Sequence, residues 1–280
     1  MSAPDSEAEG QGQDEPRAGD QPEVMQPLAE LSWLAPGPPR SAERSTLTNA
    51  AGESLDHAFT PGDPGRRSIV VIAHGVTGQH DRPYLNSLAE GLAGRGLAAL
   101  QITYAGNGRS GGRFEECTIS KEVADLGSVL DTLDGWSVGY AGHSMGGAVG
   151  VLRTAQDARL RALCSLAGMV QVQAFMERVF GDLAPGDPML GREQCPLSAA
   201  FLADARDIHD TLGAAREIDV PWLLVHGTQD ELVPYSDSEE AQAASGGADL
   251  VPLPGADHRL TGHVEAMVDS TAAFFDEHLP

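Results

Sequence analysis

From residue 68 onward, short apolar runs alternate with stretches in which apolar positions recur every three or four residues. The runs are "SIVVIAH" (68–74), "LAALQITYA" (97–105), "WSVGYAG" (136–142), "LRALCSLAG" (160–168), "PWLLVHG" (221–227) and "ADLVPLPG" (248–255). Gly, Pro or Asp bounds them, and several carry Val and Ile, as strands buried on both faces do. Helix-period stretches lie near 83–95, 118–133, 145–157, 235–245 and 262–278. This repeated strand–helix order predicts an α/β protein whose mostly parallel sheet is covered by helices on both faces. Ahead of it, "STLTNAAGESLDHAF" (45–59) alternates around the turn signal Asn49–Gly52 and predicts a hairpin.

Two segments break the pattern. Residues 1–42 are rich in Pro, Gly, Gln and acidic residues, and Arg17 is the one basic residue in the first thirty. Such a segment buries too little apolar area to offset its ordering entropy, so it is expected to be a disordered acidic tail preceding a folded domain over 43–280. The second is the connection of about fifty residues over 169–219. It carries Phe175, Met176, Val179, Phe180, Leu183, Met189, Leu190, Phe201 and Leu202, too apolar a set for a solvated linker. A connection of that length inside a compact domain is expected to form a cap or lid.

Charge narrows the range of partners. The chain has 41 acidic against 18 basic residues, a net charge of -23, and Lys121 is its one lysine. That field repels nucleic acid and anionic membrane surfaces, so neither is an expected partner. No run of about 18 apolar residues is present to span a bilayer. The first twenty residues have no basic and apolar regions of a secretory signal, which leaves the cytoplasm as the default location. Cys117, Cys164 and Cys195 are widely spaced and odd in number, with no zinc or disulfide pattern. No metal-ligand spacing or phosphate loop occurs, so no metal and no cofactor is implied. The sequence leaves open whether the chain works alone or as a homodimer.

In an open parallel sheet, ligands bind beyond the carboxyl ends of the strands. After "SVGYA" comes Gly142-His143-Ser144-Met145-Gly146, a G-x-S-x-G pattern. A strand that turns straight into a helix strains its apex residue and leaves no room for a Cβ two positions either side. The serine at the apex is then exposed at the N-terminus of a helix. The loop after "PWLLV" carries Asp230, and the loop after "LVPLP" carries His258. An alkyl hydroxyl needs a base near neutrality, which histidine supplies, and an acid that fixes the imidazole tautomer. Ser144, His258 and Asp230 are therefore the expected nucleophile, base and acid. Two backbone donors must hold the developing oxyanion. Met145 N–H follows the serine, and Val76 N–H, in the loop after "SIVVIAH", is the expected second, with Thr77 as its rival. Among the other histidines, His143 is expected to point away from the serine as a structural residue. His74 and His226 are expected to bond loop backbone, and His80 lies near the predicted mouth.

The motifs "HGVTG", "GHSMGG", "HGTQDELVP" and "GADHRLTG" together resemble the α/β-hydrolase superfamily over nearly all of residues 45–280. That resemblance implies the α/β-hydrolase fold, with a mostly parallel eight-stranded sheet and an inserted lid. It implies the same triad and oxyanion donors. "ITYAGNGRSGGRFEECTISKEVADL" (102–126) and the long insertion, placed after the sixth strand, look more narrowly like bacterial feruloyl/cinnamoyl esterases. Those enzymes usually carry G-H-G-x-S where this chain has Gly106-Asn107-Gly108-Arg109-Ser110, and no tyrosine lies in the insertion. The expected activity is cleavage of small acyl esters through an acyl-enzyme. A thioesterase, an aminopeptidase-like or amidase activity, or a non-catalytic binding protein on the same fold are the alternatives. A serine nucleophile disfavours dehalogenase and epoxide-hydrolase chemistry.

Overall fold

The computed structural model describes residues 47–280, so the acidic segment 1–42 lies outside the described residues. Seven strands form one sheet: β1 (His57–Thr60), β2 (Ser68–Ala73), β3 (Ala98–Ile102), β4 (Ser137–His143), β5 (Leu160–Leu166), β6 (Trp222–Gly227) and β7 (Asp249–Leu253). Their order is β1-β3-β2-β4-β5-β6-β7. β1 runs antiparallel to β3, and every other neighbouring pair is parallel. The sequence led to eight strands, and the difference lies at the start. In the expected hairpin only Thr48 and Ser54 form a bridge, around a turn closed by Gly52 N–H to Asn49 O. Only His57–Thr60 reaches the sheet edge. The long insertion accordingly follows the fifth strand rather than the sixth.

The sheet is most deeply buried at its centre, where all six residues of β2 are buried. Their side chains alternate between two cores. Ile69, Val71 and Ala73 pack with α2 (Ile119–Asp131) and α3 (Met145–Thr154). Val70 and Ile72 pack with α1 (Pro83–Ala93) and, through Met267 and Phe275, with the C-terminal helix. Proline at the first position of α1 suits a helix start, where its missing N–H has no intrahelical partner anyway. Leu85, Leu88, Ala89 and Leu92 then form its buried stripe. The Thr118 side chain caps α2 by accepting from Lys121 N–H.

The insertion folds as helices, α4 (Val172–Phe180), α5 (Ala199–Ile208) and α6 (Leu212–Ala215), with a short 3-10 turn at Met189–Gly191. Phe175, Met176, Phe180, Met189 and Phe201 are buried in the main core. Leu190, from the same apolar set, is 47% exposed and faces the cavity described below. α7 (Tyr235–Ser245) and α8 (Val264–His278) complete the helical layers. Asp237 in α7 pins the start of the insertion, because its carboxylate accepts from Val170 and Gln171 N–H at 3.2 and 3.1 Å. The chain moves from β2 out to β3 and then back across to β4. The carboxyl ends of β2 and β4 therefore flank the switch point where an open α/β sheet offers a crevice.

Candidate active site

Ser144 alone separates the end of β4 from the start of α3. It has φ 56° and ψ -120°, a conformation costing on the order of 1–3 kcal/mol in a non-glycine residue. Bonds on both sides hold it there. Its N–H donates to Leu166 O at 2.9 Å, and its carbonyl accepts from Gly147 and Met169 N–H at 2.8 and 3.0 Å. The flanking glycines are required by space. A Cβ on Gly142 would lie 2.1 Å from Gly146 O, and one on Gly146 would lie 2.6 Å from His74 O. Ser144 is buried among protein atoms yet lines a cavity of about 580 Å³.

The structure brings the three residues singled out in the sequence into one hydrogen-bonded row. His258 Nε2 lies 3.0 Å from Ser144 Oγ, and His258 Nδ1 lies 2.7 Å from Asp230 Oδ2. The carboxylate can only accept, so Nδ1 carries a proton and the neutral ring presents a bare Nε2 to the serine. The other oxygen of Asp230 accepts from Leu232 and Val233 N–H at 2.9 and 2.8 Å. Burial alone would raise the Asp230 carboxyl. Hydrogen bonds from His226 and His258, with backbone donation from Val233, outweigh it and hold the group well below the usual carboxylate range. It therefore remains an anion beneath the imidazole.

His226 has a part that its sequence position did not reveal. Its Nε2 bonds Val233 O at 3.0 Å, which is the expected loop-backbone contact, but also Asp230 Oδ2 at 3.2 Å. Both are acceptors, so Nε2–H donates to them and Nδ1 accepts from Ser238 Oγ at 2.7 Å. The acid thus receives two imidazole donors on one oxygen and two backbone donors on the other. No periodicity marks His226 for this, because the contact depends on the loop after β6 folding back on itself.

His143 does point away from Ser144, and it does more than space the turn. Its Nε2 donates to the backbone carbonyl of His258 at 2.9 Å, and Nδ1 then accepts from Tyr84 Oη at 3.1 Å. Burial, reinforced by the neighbouring His258, lowers His143 to about 3, so the ring is neutral and this tautomer is fixed. His74 supports the opposite wall. Nδ1 donates to Gly75 O at 2.8 Å, and Nε2 accepts from Tyr104 N–H at 3.2 Å. Burial lowers it to about 4. His80 does not line the cavity. It is buried against Thr103, whose Oγ1 lies 2.9 Å from its Nδ1.

The expected oxyanion donors sit on either side of Ser144. Met145 is the first residue of α3, so its N–H has no intrahelical acceptor and lies at the positive end of the helix. Val76 follows Gly75 in a turn closed by Gly78 N–H to Gly75 O at 2.9 Å, which leaves Val76 N–H unused by the turn. Thr77, at the third position, has φ 57°, costly for a β-branched residue. Its carbonyl accepts from Arg192 Nη1 of the insertion at 3.1 Å and, more weakly, from Arg82 Nη2 at 3.5 Å. The insertion is also tied to the acid loop, since Arg178 donates to Leu232 O at 2.7 Å. No cluster of three or more metal-ligating side chains occurs among the described residues.

Known proteins give this geometry its context. Residues 64–186 match the family model described as serine aminopeptidase, S33. A monoacylglycerol lipase of Mycolicibacterium smegmatis is 26% identical over 263 residues, spanning 79% of this chain and 92% of that protein. The mitochondrial palmitoyl-protein thioesterase ABHD10 of Bos taurus is 23% identical over 184 residues, 59% of this chain and 58% of the thioesterase. Among solved structures, Est1E from Butyrivibrio proteoclasticus with ferulic acid bound matches with a TM-score of 0.76 at 25% identity, over 83% of this chain and 98% of that one. The matched proteins are a lipase, a thioesterase and an esterase, and the chain is a serine hydrolase with the α/β-hydrolase fold.

Proposed function

We propose that the protein cleaves small carboxylic esters, with Ser144 as nucleophile, His258 as general base and acid, and Asp230 as the orienting acid. The observation that carries this reading is the unbroken row from Asp230 through His258 to Ser144, at 2.7 and 3.0 Å, opening into the large cavity. As Ser144 Oγ attacks the ester carbonyl, Nε2 of His258 takes its proton. The anionic Asp230 stabilises the imidazolium that forms. Val76 and Met145 N–H hold the oxyanion, each worth a factor of about 10²–10³ in rate. His258 then protonates the leaving alcohol, and a water activated by the same base releases the acid.

Size supports small substrates. The cavity falls in the range of pockets for small molecules. Behind Val76 and Met145, where Phe114, Met189 and Phe201 close in, only about 10 Å³ is free. That is roughly the space of one water. An acyl chain must therefore lie in the main cavity rather than tunnel past the oxyanion donors. The lining of that cavity includes no Asp or Glu, so it has no carboxylate to receive the α-ammonium of an aminopeptidase substrate. A feruloyl group is one acyl candidate, by analogy with Est1E.

All the proposed catalytic groups come from a single chain, so a homodimer is not needed to build the site. The three cysteines are free and buried, which suits the reducing cytoplasm. The test is hydrolysis of p-nitrophenyl acetate, butyrate and octanoate by the wild type and by Ser144→Ala. Turnover of the short esters by the wild type alone supports the reading, and equal turnover by Ser144→Ala overturns it.

A further inference from the structure

We propose that the substrate of the Ser144 site carries an anionic group, a carboxylate or a phosphate, which Arg82, Arg192 and Arg259 bind at the mouth of the cavity. This assignment rests on the ester-hydrolase reading above and names the class of ester.

The charge pattern of the cavity is the inverse of the charge pattern of the chain. Acidic residues outnumber basic ones 41 to 18 in the whole chain. Among the cavity residues there are three arginines and no acidic side chain. Outside the cavity, Arg66, Arg95, Arg109, Arg113, Lys121, Arg153 and Arg159 each meet a carboxylate. Among the described residues, none of the three cavity arginines forms such a pair, although acidic side chains are plentiful. A cationic patch in so anionic a protein focuses the field on the cavity, where it draws anions in.

The three come from distant parts of the chain and converge on the reacting groups. Arg82 immediately precedes α1, Arg192 comes from the insertion, and Arg259 follows the base His258. Arg82 and Arg192 both point a nitrogen at the same oxygen, Thr77 O, at 3.5 and 3.1 Å. Two like charges are thus gathered around one carbonyl of the oxyanion loop. Each keeps most of its five donors unused, and a bound anion would relieve their repulsion. Tyr84 lines the same cavity as Arg82 and Arg259. Burial pushes its phenol up to about 12, and both guanidinium groups pull against that rise. Guanidinium forks match the paired oxygens of carboxylates and phosphates, so the residue type suits the ligand.

Matched esters test the assignment. One pair is p-nitrophenyl butyrate against mono-p-nitrophenyl glutarate, which puts a carboxylate on the acyl side. The other set is the butyryl esters of glycerol, glycerate and glycerol phosphate, which puts either anion on the alcohol side. At least one anionic member is expected to exceed its neutral partner in kcat/KM by about tenfold or more at low salt. The member that does so identifies the anion and its position. The preference should shrink as salt is raised, because these charges are partly exposed. Replacing Arg82 and Arg192 together by Gln, or Arg259→Gln, should lower the anionic-to-neutral ratio, whatever happens to the neutral rate. Arg216→Gln, on an exposed residue outside the cavity, should leave the ratio unchanged. Turnover of neutral and anionic esters at equal efficiency would overturn the anionic assignment and leave the hydrolase reading intact. An equal fall in the ratio with Arg216→Gln would also overturn it, since net charge would then be responsible. No turnover of any ester would overturn both.

Discussion

Asp230→Asn isolates the part of the site that sets the proton inventory. Asp230 meets four donors: Leu232 and Val233 N–H on one oxygen, His258 and His226 on the other. An asparagine has only one accepting end. If its amide nitrogen turned toward the backbone, two buried N–H groups would lose their partner, at about 1–3 kcal/mol each. The favoured placement keeps the carbonyl oxygen on Leu232 and Val233 and turns the amide nitrogen toward the imidazoles. His226 retains Val233 O as an acceptor. His258 must then accept at Nδ1, which moves its proton to Nε2, the atom 3.0 Å from Ser144 Oγ. A protonated Nε2 cannot take the serine proton. The expected loss is about 10⁴ in kcat, roughly 5.5 kcal/mol, with KM changed little because Asp230 lies below the cavity floor. Steady-state hydrolysis of p-nitrophenyl butyrate, with circular dichroism to confirm folding, measures it. A folded Asp230→Asn enzyme retaining kcat within tenfold of the wild type would refute the tautomer reasoning.

Three further outcomes follow from particular contacts. Glu122 is fully buried with Oε2 unpartnered, and burial, aided by nearby Asp125, raises it well above 4.5. The folded state then keeps a proton that the unfolded chain gives up as pH rises, so this group lowers stability with increasing pH. Glu122→Gln should match the wild type in urea denaturation at pH 4 and exceed it at pH 8; no pH-dependent difference would contradict the buried-acid argument. His143→Ala removes the donor to His258 O and should lower kcat about 10- to 100-fold, from a lost hydrogen bond of about 1–3 kcal/mol, as steady-state kinetics will show. Gly75→Ala would place a Cβ 2.7 Å from Ser144 Cβ and 3.1 Å from its Oγ. It should cut kcat by about 10² or more through displacement of the oxyanion loop, while a melting curve stays cooperative.

The layered fold and the succession of strands and helices along the chain were legible because each element carries its own local signal. β2 is apolar throughout, α1 shows its stripe, and glycines flank Ser144 where a Cβ cannot fit. Asp230 and His258 were legible because strand ends are where an open sheet does chemistry. Distance in sequence limited the rest. The pairing of His226 with Asp230 is made by a loop folding back, and His143 finds His258 across 115 residues. Arg82, Arg192 and Arg259 share a cavity only because the insertion closes over α1 and the last loop. The eighth strand failed for a simpler reason. Alternation at 45–59 signals extended chain, but it does not say whether a partner strand is within reach, and only four residues reach β3.

The nucleophilic role of Ser144 is tested most directly by covalent labelling. A fluorophosphonate probe, read by intact mass and peptide mapping, should add one adduct to the wild type, on the peptide containing Ser144. Ser144→Ala should remain unlabelled while keeping the wild-type melting curve. An adduct on a different serine, or labelling of Ser144→Ala at the wild-type rate, would contradict the account.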